Sequence, residues 1–270
     1  MLLLKMSLRL KKFDMNRLKY DSVVVLLGKR NTGKSFLTRD ILFHHKDIPL
    51  GTIISPTEEA NQFFTPLTPQ FFIHDEYTPG LVERVVKRQK KAVSQWQKDK
   101  SVDPRGFLVF DDCMYENAWK KDKNVRLLFM NGRHYKMLFL ITMQFPLGIP
   151  PILRSNVDFV FILRENFISN RKRIYEHWAG MFPDFKVFCS VMDQCTENFE
   201  CLVIDNSVKS NKIEEVVYWY KADNHEDFKL GAPVFWNMAK KYPQAKDDEG
   251  ENFTAQRNEE KLGFKVQKLT

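Results

Sequence analysis

The sequence predicts an α/β fold in which helices flank a mostly parallel sheet. Short apolar runs alternate with longer, polar stretches compatible with helices, and the first run leads into a glycine-bounded loop and a helical pattern. That first run, Val23–Gly28, contains no polar residue, which is typical of a strand buried on both faces of a parallel sheet. Four later runs of the same kind predict further strands, at residues 52–55, 106–110, 137–143 and 157–163.

Two helices are predicted in the stretches between these strands. After the first strand and its loop, apolar residues recur at helical spacing over residues 36–42, and the segment closes near Pro49 and Gly51. The stretch Thr78–Lys100 is polar and strongly basic, and it predicts an exposed helix.

The last third of the chain changes character. Glu200–Asp205 and Lys212–Tyr220 predict two strands, and the residues between them are turn formers. We expect a β-hairpin over about 199–221, added to the edge of the sheet or packed beside it. Beyond Tyr242 the composition becomes charged and poor in apolar residues. The sequence therefore predicts a single domain over 1–242 and a charged tail over 243–270 that is mobile or docks on a partner.

Composition excludes several classes of protein. The 270 residues are 43% hydrophobic, which supplies one sizeable core, and no apolar run approaches the length of a membrane span. The four cysteines fit the spacing of neither a disulfide scaffold nor a zinc site. We expect a soluble, unexported protein with reduced thiols and no membrane insertion. Its net charge of +8 favours a polyanionic partner without naming one.

A phosphate-binding loop is predicted after the first strand. Residues 28–35 read GKRNTGKS and fit the pattern GxxxxGK[ST] at every fixed position, between a strand and a helix. Glycines let backbone N–H groups point at phosphate oxygens. Lys34 is expected to neutralise the β- and γ-phosphates, and Ser35 to bind Mg²⁺. The residues expected to contact the nucleotide are Gly28, Lys29, Arg30, Asn31, Thr32, Gly33, Lys34, Ser35 and Phe36.

A pair of carboxylates forms the second half of the predicted site. Asp111 and Asp112 end the apolar run that starts at Gly106. They therefore lie at the carboxyl end of a predicted parallel strand, which is where ligands of open α/β sheets bind. Asp111 is predicted to hold Mg²⁺, and Asp112 to orient or deprotonate the attacking water. Acidic residues at this position also cap helices, so that role is the alternative.

The spacing of the two motifs bears on the class of nucleotide-binding protein. The stretch between Lys34 and Asp111 leaves room for additional strands, which suits ATPases with a strand inserted between the two motif strands. Small-nucleotide kinases stay open on the loop alone. Gln144 ends the run 137–143, and it is predicted to sense the γ-phosphate and the attacking water; a solvent-facing strand end is the alternative.

These motifs together resemble a known family. GKRNTGKS, LVFDD, NGRHYKMLFLITMQFP and PPILRSNVDFVFILRE, in this order and spacing, resemble the genome-packaging ATPases of nucleocytoplasmic large DNA viruses, a poxvirus-type branch of the FtsK/HerA superfamily. The resemblance covers about residues 20 to 190, and Asn131–His134 is its most particular motif. It implies a RecA-like P-loop NTPase fold, ATP hydrolysis with Mg²⁺, a homo-oligomeric ring and translocation of double-stranded DNA into a preformed capsid.

The same resemblance implies partners, a location and residue roles. A capsid or portal protein is the implied partner, and the implied location is the viral assembly site in the host-cell cytoplasm, or the virion. By similarity, Lys34 and Ser35 correspond to the nucleotide-binding pair of the family. Asp111 and Asp112 correspond to its acidic pair, and Gln144 corresponds to its sensor. Many relatives have glutamate where this chain has Asp112. Because aspartate reaches less far, either the water lies closer or another group assists.

Arginine and lysine side chains carry two further expectations. Arg133 matches the arginine that the family supplies across a subunit interface, where a guanidinium stabilises charge on the transferred phosphoryl group. The basic run Arg84–Lys100 is the candidate for sequence-independent contacts with DNA phosphates, and a solvated helix face is the alternative. Competing candidates for the trans-acting arginine are Arg126, Arg154 and Arg164.

Two other functions stay open at this point. One is a cellular DNA-pumping ATPase of the FtsK/HerA type. The other is a P-loop protein that uses nucleotide binding as a switch or scaffold with little turnover.

Overall fold

The computed structural model describes residues 8–113 and 118–241, so the predicted tail over 243–270 lies outside the described residues. Its centre is a sheet of nine strands in the order β1-β9-β8-β7-β2-β6-β5-β3-β4. The strands are β1 (Lys11–Lys12), β2 (Val23–Leu27), β3 (Leu50–Ile54), β4 (Ile73–His74), β5 (Gly106–Asp111), β6 (Met137–Met143), β7 (Phe159–Ile162), β8 (Glu200–Asp205) and β9 (Val217–Lys221).

Helices cover both faces of this sheet. They are α1 (Lys34–His44), α2 (Glu58–Asn61), α3 (Pro79–Lys98), α4 (Lys123–Asn131), α5 (Pro151–Arg154), α6 (Ile168–Trp178), α7 (Phe185–Cys195), α8 (Ile213–Val216) and α9 (Pro233–Lys241). Short 3-10 turns occur at Met15–Arg17, Gln70–Phe72, Ala118–Lys121 and Gly132–Tyr135. None of the helices within the described ranges combines the length and the apolar composition that crossing a bilayer requires.

The sheet is mostly parallel, as the sequence predicts. Strands β7, β2, β6, β5, β3 and β4 run parallel to one another, and β8 runs antiparallel to both β7 and β9. Strand β6 lies between β2 and β5. The expectation of a strand inserted between the two motif strands is therefore confirmed.

The core lies in two layers, one on each face of the sheet. Alternate residues of β2 point to opposite layers: Val23 and Val25 join the cluster formed with α3 to α7, whereas Val24 and Leu26 join the cluster formed with α1. Every residue of β2 is buried. Burial on both faces explains why this strand reads as an uninterrupted apolar run rather than as an alternating one.

The predicted hairpin exists, but its second strand begins later than expected. Residues 213–216 form the single helical turn α8, and β9 starts only at Val217. The hairpin extends the parallel block from β7 through β8 to β9, and β1 then pairs with β9, placing Lys11 opposite Tyr218. The amino-terminal segment therefore covers the edge that β9 would otherwise expose, which protects its unpaired backbone groups.

Helix α3 is amphipathic rather than exposed on all sides. Thr78 caps its first turn by accepting a hydrogen bond from the Leu81 N–H at 3.2 Å, and Pro79 occupies the first turn. One face of the helix is buried against the sheet, at Leu81, Val82, Val85, Val86 and Gln89. The predicted basic helix thus contributes a full stripe of apolar side chains to the core.

The register of β3 and β5 makes Gly51 a packing constraint. Gly51 lies opposite the buried Phe107, and a Cβ at residue 51 would fall 2.0 Å from Phe107 Cζ. Gly51→Ala should lower the free energy of unfolding by about 1 to 3 kcal/mol, because the ring has no free space to enter. Gly180→Ala is the matched control, since no atom lies within 4 Å of its added Cβ. Urea denaturation measures both; equal stabilities for the two variants would contradict the packing argument.

Candidate nucleotide-binding site

A cavity of about 530 Å³ opens at the carboxyl ends of the parallel strands. It lies where β2, β5 and β6 end and where α1 begins, which is the ligand position of open α/β sheets. The phosphate loop, the two aspartates and the glutamine meet there, together with residues from α2 and from the turn before β8. The lining residues are Lys29, Arg30, Asn31, Gly33, Lys34, Ser35, Phe36, Thr57, Asn61, Asp111, Asp112, Gln144 and Phe199.

The backbone of the loop requires its glycines. Gly33 has φ of 99° and caps α1, in the left-handed region that favours glycine. At Gly28 an added Cβ would lie 2.6 Å from Thr32 Oγ1 and 2.9 Å from Leu163 Cβ. No side chain caps the first turn of α1, so its N–H groups are available to an anion at the positive end of the helix dipole.

Lys34 is folded back onto the loop. Its Nζ donates hydrogen bonds to the carbonyl oxygens of Gly28 and Lys29, at 2.7 and 2.8 Å. Burial lowers the pKa of Lys34, and the nearby carboxylates of Asp112 and Asp111 counteract part of that effect. The ammonium group of Lys34 is therefore bound by two neutral carbonyl oxygens. Phosphate oxygens, which carry negative charge and accept stronger hydrogen bonds, can take the place of these acceptors.

Asp111 is held by two hydroxyl groups from neighbouring strands. Thr142 Oγ1 donates to its Oδ1 at 2.8 Å, and Ser55 Oγ donates to its Oδ2 at 3.1 Å. Burial raises the pKa of Asp111 above its ordinary value, against the opposing effect of these two hydrogen bonds. The two hydrogen bonds thus fix the orientation of the Asp111 carboxyl group. Its ionised form is poorly solvated because the group is buried.

Asp112 is joined to Gln144, the residue predicted to sense the γ-phosphate. Gln144 Nε2 donates a hydrogen bond to Asp112 Oδ2, and the Asp112 N–H donates to Thr142 Oγ1 at 3.0 Å. Asp112 has φ of 55°, a left-handed conformation that turns the chain sharply at the end of β5. The single hydroxyl of Thr142 therefore positions both aspartates.

Aromatic residues form part of the rim. Lys29 Nζ forms an ion pair with the Glu165 carboxylate at 2.6 Å and lies 3.3 Å from the centroid of the Phe167 ring. The Phe199 side chain is close to Gly33, 67% exposed, and its backbone is left-handed with φ of 63°. These contacts leave exposed apolar surface beside the mouth of the cavity.

Comparison with known proteins places this chain among viral proteins. No protein-family model matches the sequence. The chain is 39% identical over 238 residues to the uncharacterised protein L437 of Acanthamoeba polyphaga mimivirus, across 86% of this chain and 84% of L437. It is also 39% identical over 223 residues to the uncharacterised protein 075L of Invertebrate iridescent virus 6, across 81% and 85% of the two chains. The chain belongs to this family of large-DNA-virus proteins.

Solved structures share the fold of this chain. The genome packaging NTPase B204 of Sulfolobus turreted icosahedral virus 2, in complex with AMP, superposes with a TM-score of 0.54 at 14% identity, covering 76% of this chain and 100% of B204. The same protein in complex with ATP-gammaS also gives 0.54, at 75% and 98% coverage. The chain shares the fold of this NTPase, which confirms the P-loop NTPase fold predicted from the sequence.

Arg133 lies outside the cavity of its own chain. It forms an ion pair with Asp158, whose Oδ2 accepts a hydrogen bond from the Val23 N–H at 2.9 Å, at the amino end of β2. This is the edge of the sheet opposite the phosphate loop. Among the competing arginines, Arg164 follows β7 at the same edge as the cavity, and it is exposed.

The basic helix α3 is less available to a ligand than its sequence suggests. Arg88 points inward, where it donates hydrogen bonds to Thr52 Oγ1 at 3.1 Å and to the Gly51 carbonyl oxygen at 3.4 Å, and burial lowers its pKa to about 10. Lys87 pairs with Glu83 at 2.8 Å. The cations that stay exposed on and just after the helix are Arg84, Lys87, Lys90, Lys91, Lys98 and Lys100.

Five residues of the site have no counterpart in the sequence predictions: Ser55, Thr57, Asn61, Thr142 and Phe199. Ser55 follows β3 directly, so the rule that predicted Asp111, a polar residue at the carboxyl end of a buried strand, applies to it too. Thr142 reads as one more residue of a buried strand. Phe199 reaches the loop through a turn that no motif marks.

Neutralising Asp111 should stabilise the nucleotide-free protein at neutral pH. Its pKa is raised by burial, so folding favours the protonated form. That contribution is present below the unfolded pKa, about 3.9, and is lost as the pH rises through the folded pKa. Asp111→Asn should therefore raise the free energy of unfolding at pH 7, and the gain should shrink as the pH falls toward 4. Chemical denaturation across pH measures this; a gain independent of pH would contradict it. Glu76→Gln, which removes an exposed carboxylate that forms no ion pair with the described side chains, is the control.

Proposed function

We propose that this protein is the ATP-hydrolysing motor subunit that translocates double-stranded viral DNA into a preformed capsid. The observation that carries the proposal is the convergence of Lys34, Asp111 and Asp112 on one cavity at the end of a parallel sheet. Support comes from the shared fold with B204, which is described as a genome packaging NTPase and was solved with AMP and with ATP-gammaS.

The nucleotide would be held by the loop and the start of α1. Lys34 would exchange its two carbonyl acceptors for phosphate oxygens, and the N–H groups of the loop and of Lys34–Phe36 would bind the remaining oxygens. Phe199 and Phe36 lie on the rim, where exposed rings offer a surface for the base. In this proposal the predicted nucleotide-binding residues would surround a single nucleotide.

The oxygen atoms of the cavity fit Mg²⁺. Ser35 and Asp111 are the residues that would hold the ion, and both line the cavity with oxygen ligands only, the type that Mg²⁺ prefers. A buried carboxylate with a raised pKa is also a group that gains from a nearby cation. When bound, Mg²⁺ supplies positive charge that stabilises the phosphates during transfer.

Asp112 and Gln144 would position the attacking water. Their hydrogen bond makes them a unit, so the amide orients the carboxylate that accepts the proton. Aspartate is shorter than the glutamate of many relatives. We assign the assisting role to Gln144, because it fixes the direction in which the shorter side chain points.

Phosphate contacts with DNA would come from the exposed cations of α3 and the turn after it. Lys91, Lys98 and Lys100 are free of acidic partners among the described side chains, and Lys100 lies 3.6 Å above the Trp96 ring. A motor that moves along any sequence must bind the backbone rather than base edges. The net charge of +8 suits that role.

Assembly, location and domain limits complete the proposal. Subunits would form a homo-oligomeric ring on a capsid or portal protein, at the viral assembly site in the cytoplasm or in the virion. Arg133 would act in trans if the amino edge of one sheet faces the cavity of the next subunit; its side chain is 66% exposed despite the ion pair. One ATPase domain over 1–242, with a docking tail over 243–270, is part of the same proposal.

The rival hypothesis is a nucleotide switch with little turnover. Lys34→Ala should abolish ATP hydrolysis, with kcat lowered at least 100-fold, because the loop loses the cation that binds the β- and γ-phosphates. Lys46→Ala, exposed beyond the end of α1, is the matched control and should keep the parent rate. Hydrolysis is measured with and without duplex DNA. A parent protein that binds ATP tightly but turns it over no faster with DNA would favour the switch.

DNA affinity should depend steeply on salt. Replacing Lys91, Lys98 and Lys100 together by Gln should reduce the slope of log K against log [salt] by about 2 to 3, because each lost phosphate contact removes about 0.9 from it. The control removes the same charge from elsewhere on the surface, at Lys172, Lys186 and Lys209. Fluorescence anisotropy with duplexes of unrelated sequence gives both slopes. Equal slopes for the two triple variants would rule out the α3 surface.

A further inference from the structure

A second cluster of potential ligands lies near the carboxyl end of α1, away from the phosphate loop. Asp40 and His44 belong to α1, and His225 belongs to the segment after β9. One ligand atom from each residue lies within 4.8 Å of the others. His225 Nε2 is 2.5 Å from Asp40 Oδ1, and His44 Nε2 is 3.6 Å from the same oxygen. Three donors therefore converge from two segments distant in sequence.

The surrounding contacts fix each of these side chains. Asp40 and His44 are one helical turn apart and share a face of α1. The ring of His225 stacks on Phe43 with a centroid distance of 3.7 Å and an interplanar angle of 8°. The carboxylate of Asp40 is fully buried, and Tyr220 Oη donates a hydrogen bond to its Oδ2 at 2.6 Å. That bond leaves Oδ1 facing the two imidazoles.

We propose that Asp40, His44 and His225 form a site for a divalent transition-metal ion, with zinc as the ion that fits best. Two imidazole nitrogens and one carboxylate oxygen are a donor set that zinc accepts, with a water molecule at the fourth position. Imidazole ligands select transition metals over Mg²⁺, which prefers oxygen. The hydrogen bond from Tyr220 is the outer-shell contact that orients a ligating carboxylate.

A metal-free hydrogen-bonded cluster is the competing explanation. It accounts for His225, whose Nε2 lies within hydrogen-bond distance of Asp40, but not for His44, which lies beyond that distance. Ligand atoms about 2.0 to 2.1 Å from a tetrahedral zinc ion stand about 3.3 Å apart. The two separations from Asp40 Oδ1, 2.5 Å to His225 and 3.6 Å to His44, bracket that value, and the two imidazole ligand atoms lie within 4.8 Å of each other.

The site would join helix α1 to the segment that follows β9. Helix α1 begins with Lys34 and Ser35 of the phosphate loop, and the 222–230 segment crosses its other end, where Arg39 pairs with Asp227 at 3.0 Å. A metal there would fix the carboxyl end of the helix against that segment. The inference does not depend on the proposed motor function, because no residue of the cluster lines the nucleotide cavity.

The test uses the full chain, stripped with chelator and free of nucleotide. Titration with zinc chloride in a calorimeter should show one tight equivalent, and saturating zinc should raise the Tm by several degrees. The variant combining His44→Gln with His225→Gln should bind zinc at least 100-fold more weakly and lose the Tm shift. Two controls should bind like the parent: His177→Gln, on the exposed face of α6, and Asp111→Asn, which removes a carboxylate from the nucleotide cavity.

Spectroscopy of the parent protein keeps the proposal testable if the double variant does not fold. X-ray absorption of the zinc-loaded protein should show only nitrogen and oxygen ligands, with the multiple scattering of two imidazoles. The single substitution His44→Gln, at the most exposed ligand, should reduce this to one imidazole. Absence of a saturable equivalent, sulfur in the first coordination sphere, or unchanged affinity in a folded double variant would each overturn the assignment.

Discussion

The parallel register of β2, β6 and β5 is the constraint on which the site depends. Leu27 lies opposite Met143, and Thr142 lies opposite Asp111, so the three strands end level with one another. Each end carries one part of the candidate site: the phosphate loop follows β2, Gln144 follows β6, and the two aspartates stand at the end of β5. A shift of one residue in either pairing would turn the side chains of a strand to the other face and break the bridge from Thr142 to both aspartates.

Features encoded locally were predictable from the sequence. The strands are buried on both faces, so their apolar runs have nearly the right limits, and the loop motif fixes the start of α1. Long-range contacts were less accessible. Arg88 reads as one more exposed cation but points toward the Gly51 carbonyl, and β9 begins at Val217 because four preceding residues take a helical turn. Sequence patterns indicate which residues are buried and which secondary structure they favour. They do not indicate which distant segments of the chain come into contact.

The candidate site was predicted more completely than the surfaces around it. Glycine spacing, a lysine and strand-end carboxylates follow from phosphate and metal chemistry, so a motif suffices to find them. Ser55 and Thr142 donate hydrogen bonds to Asp111 from the two strands beside it. Their roles cannot be inferred from the sequence, because the order of the strands in the sheet must be known first. Phe199 approaches Gly33 through a left-handed turn, which sequence spacing does not reveal.

The hydrogen bond between Gln144 and Asp112 connects the end of β5 to the chain beyond β6. The amide of Gln144 donates to a carboxylate acceptor. If the proposed proton transfer places the proton on Asp112 Oδ2, that oxygen becomes a donor, and the Gln144 amide can rotate to present its oxygen instead. Two residues further along, the Pro146 carbonyl oxygen accepts a hydrogen bond from Trp178 Nε1 of α6 at 2.8 Å. The connection from Asp112 to α6 thus consists of two hydrogen bonds and the two peptide units between Gln144 and Pro146, which is a short path from the cavity to the helix layer that packs on the sheet.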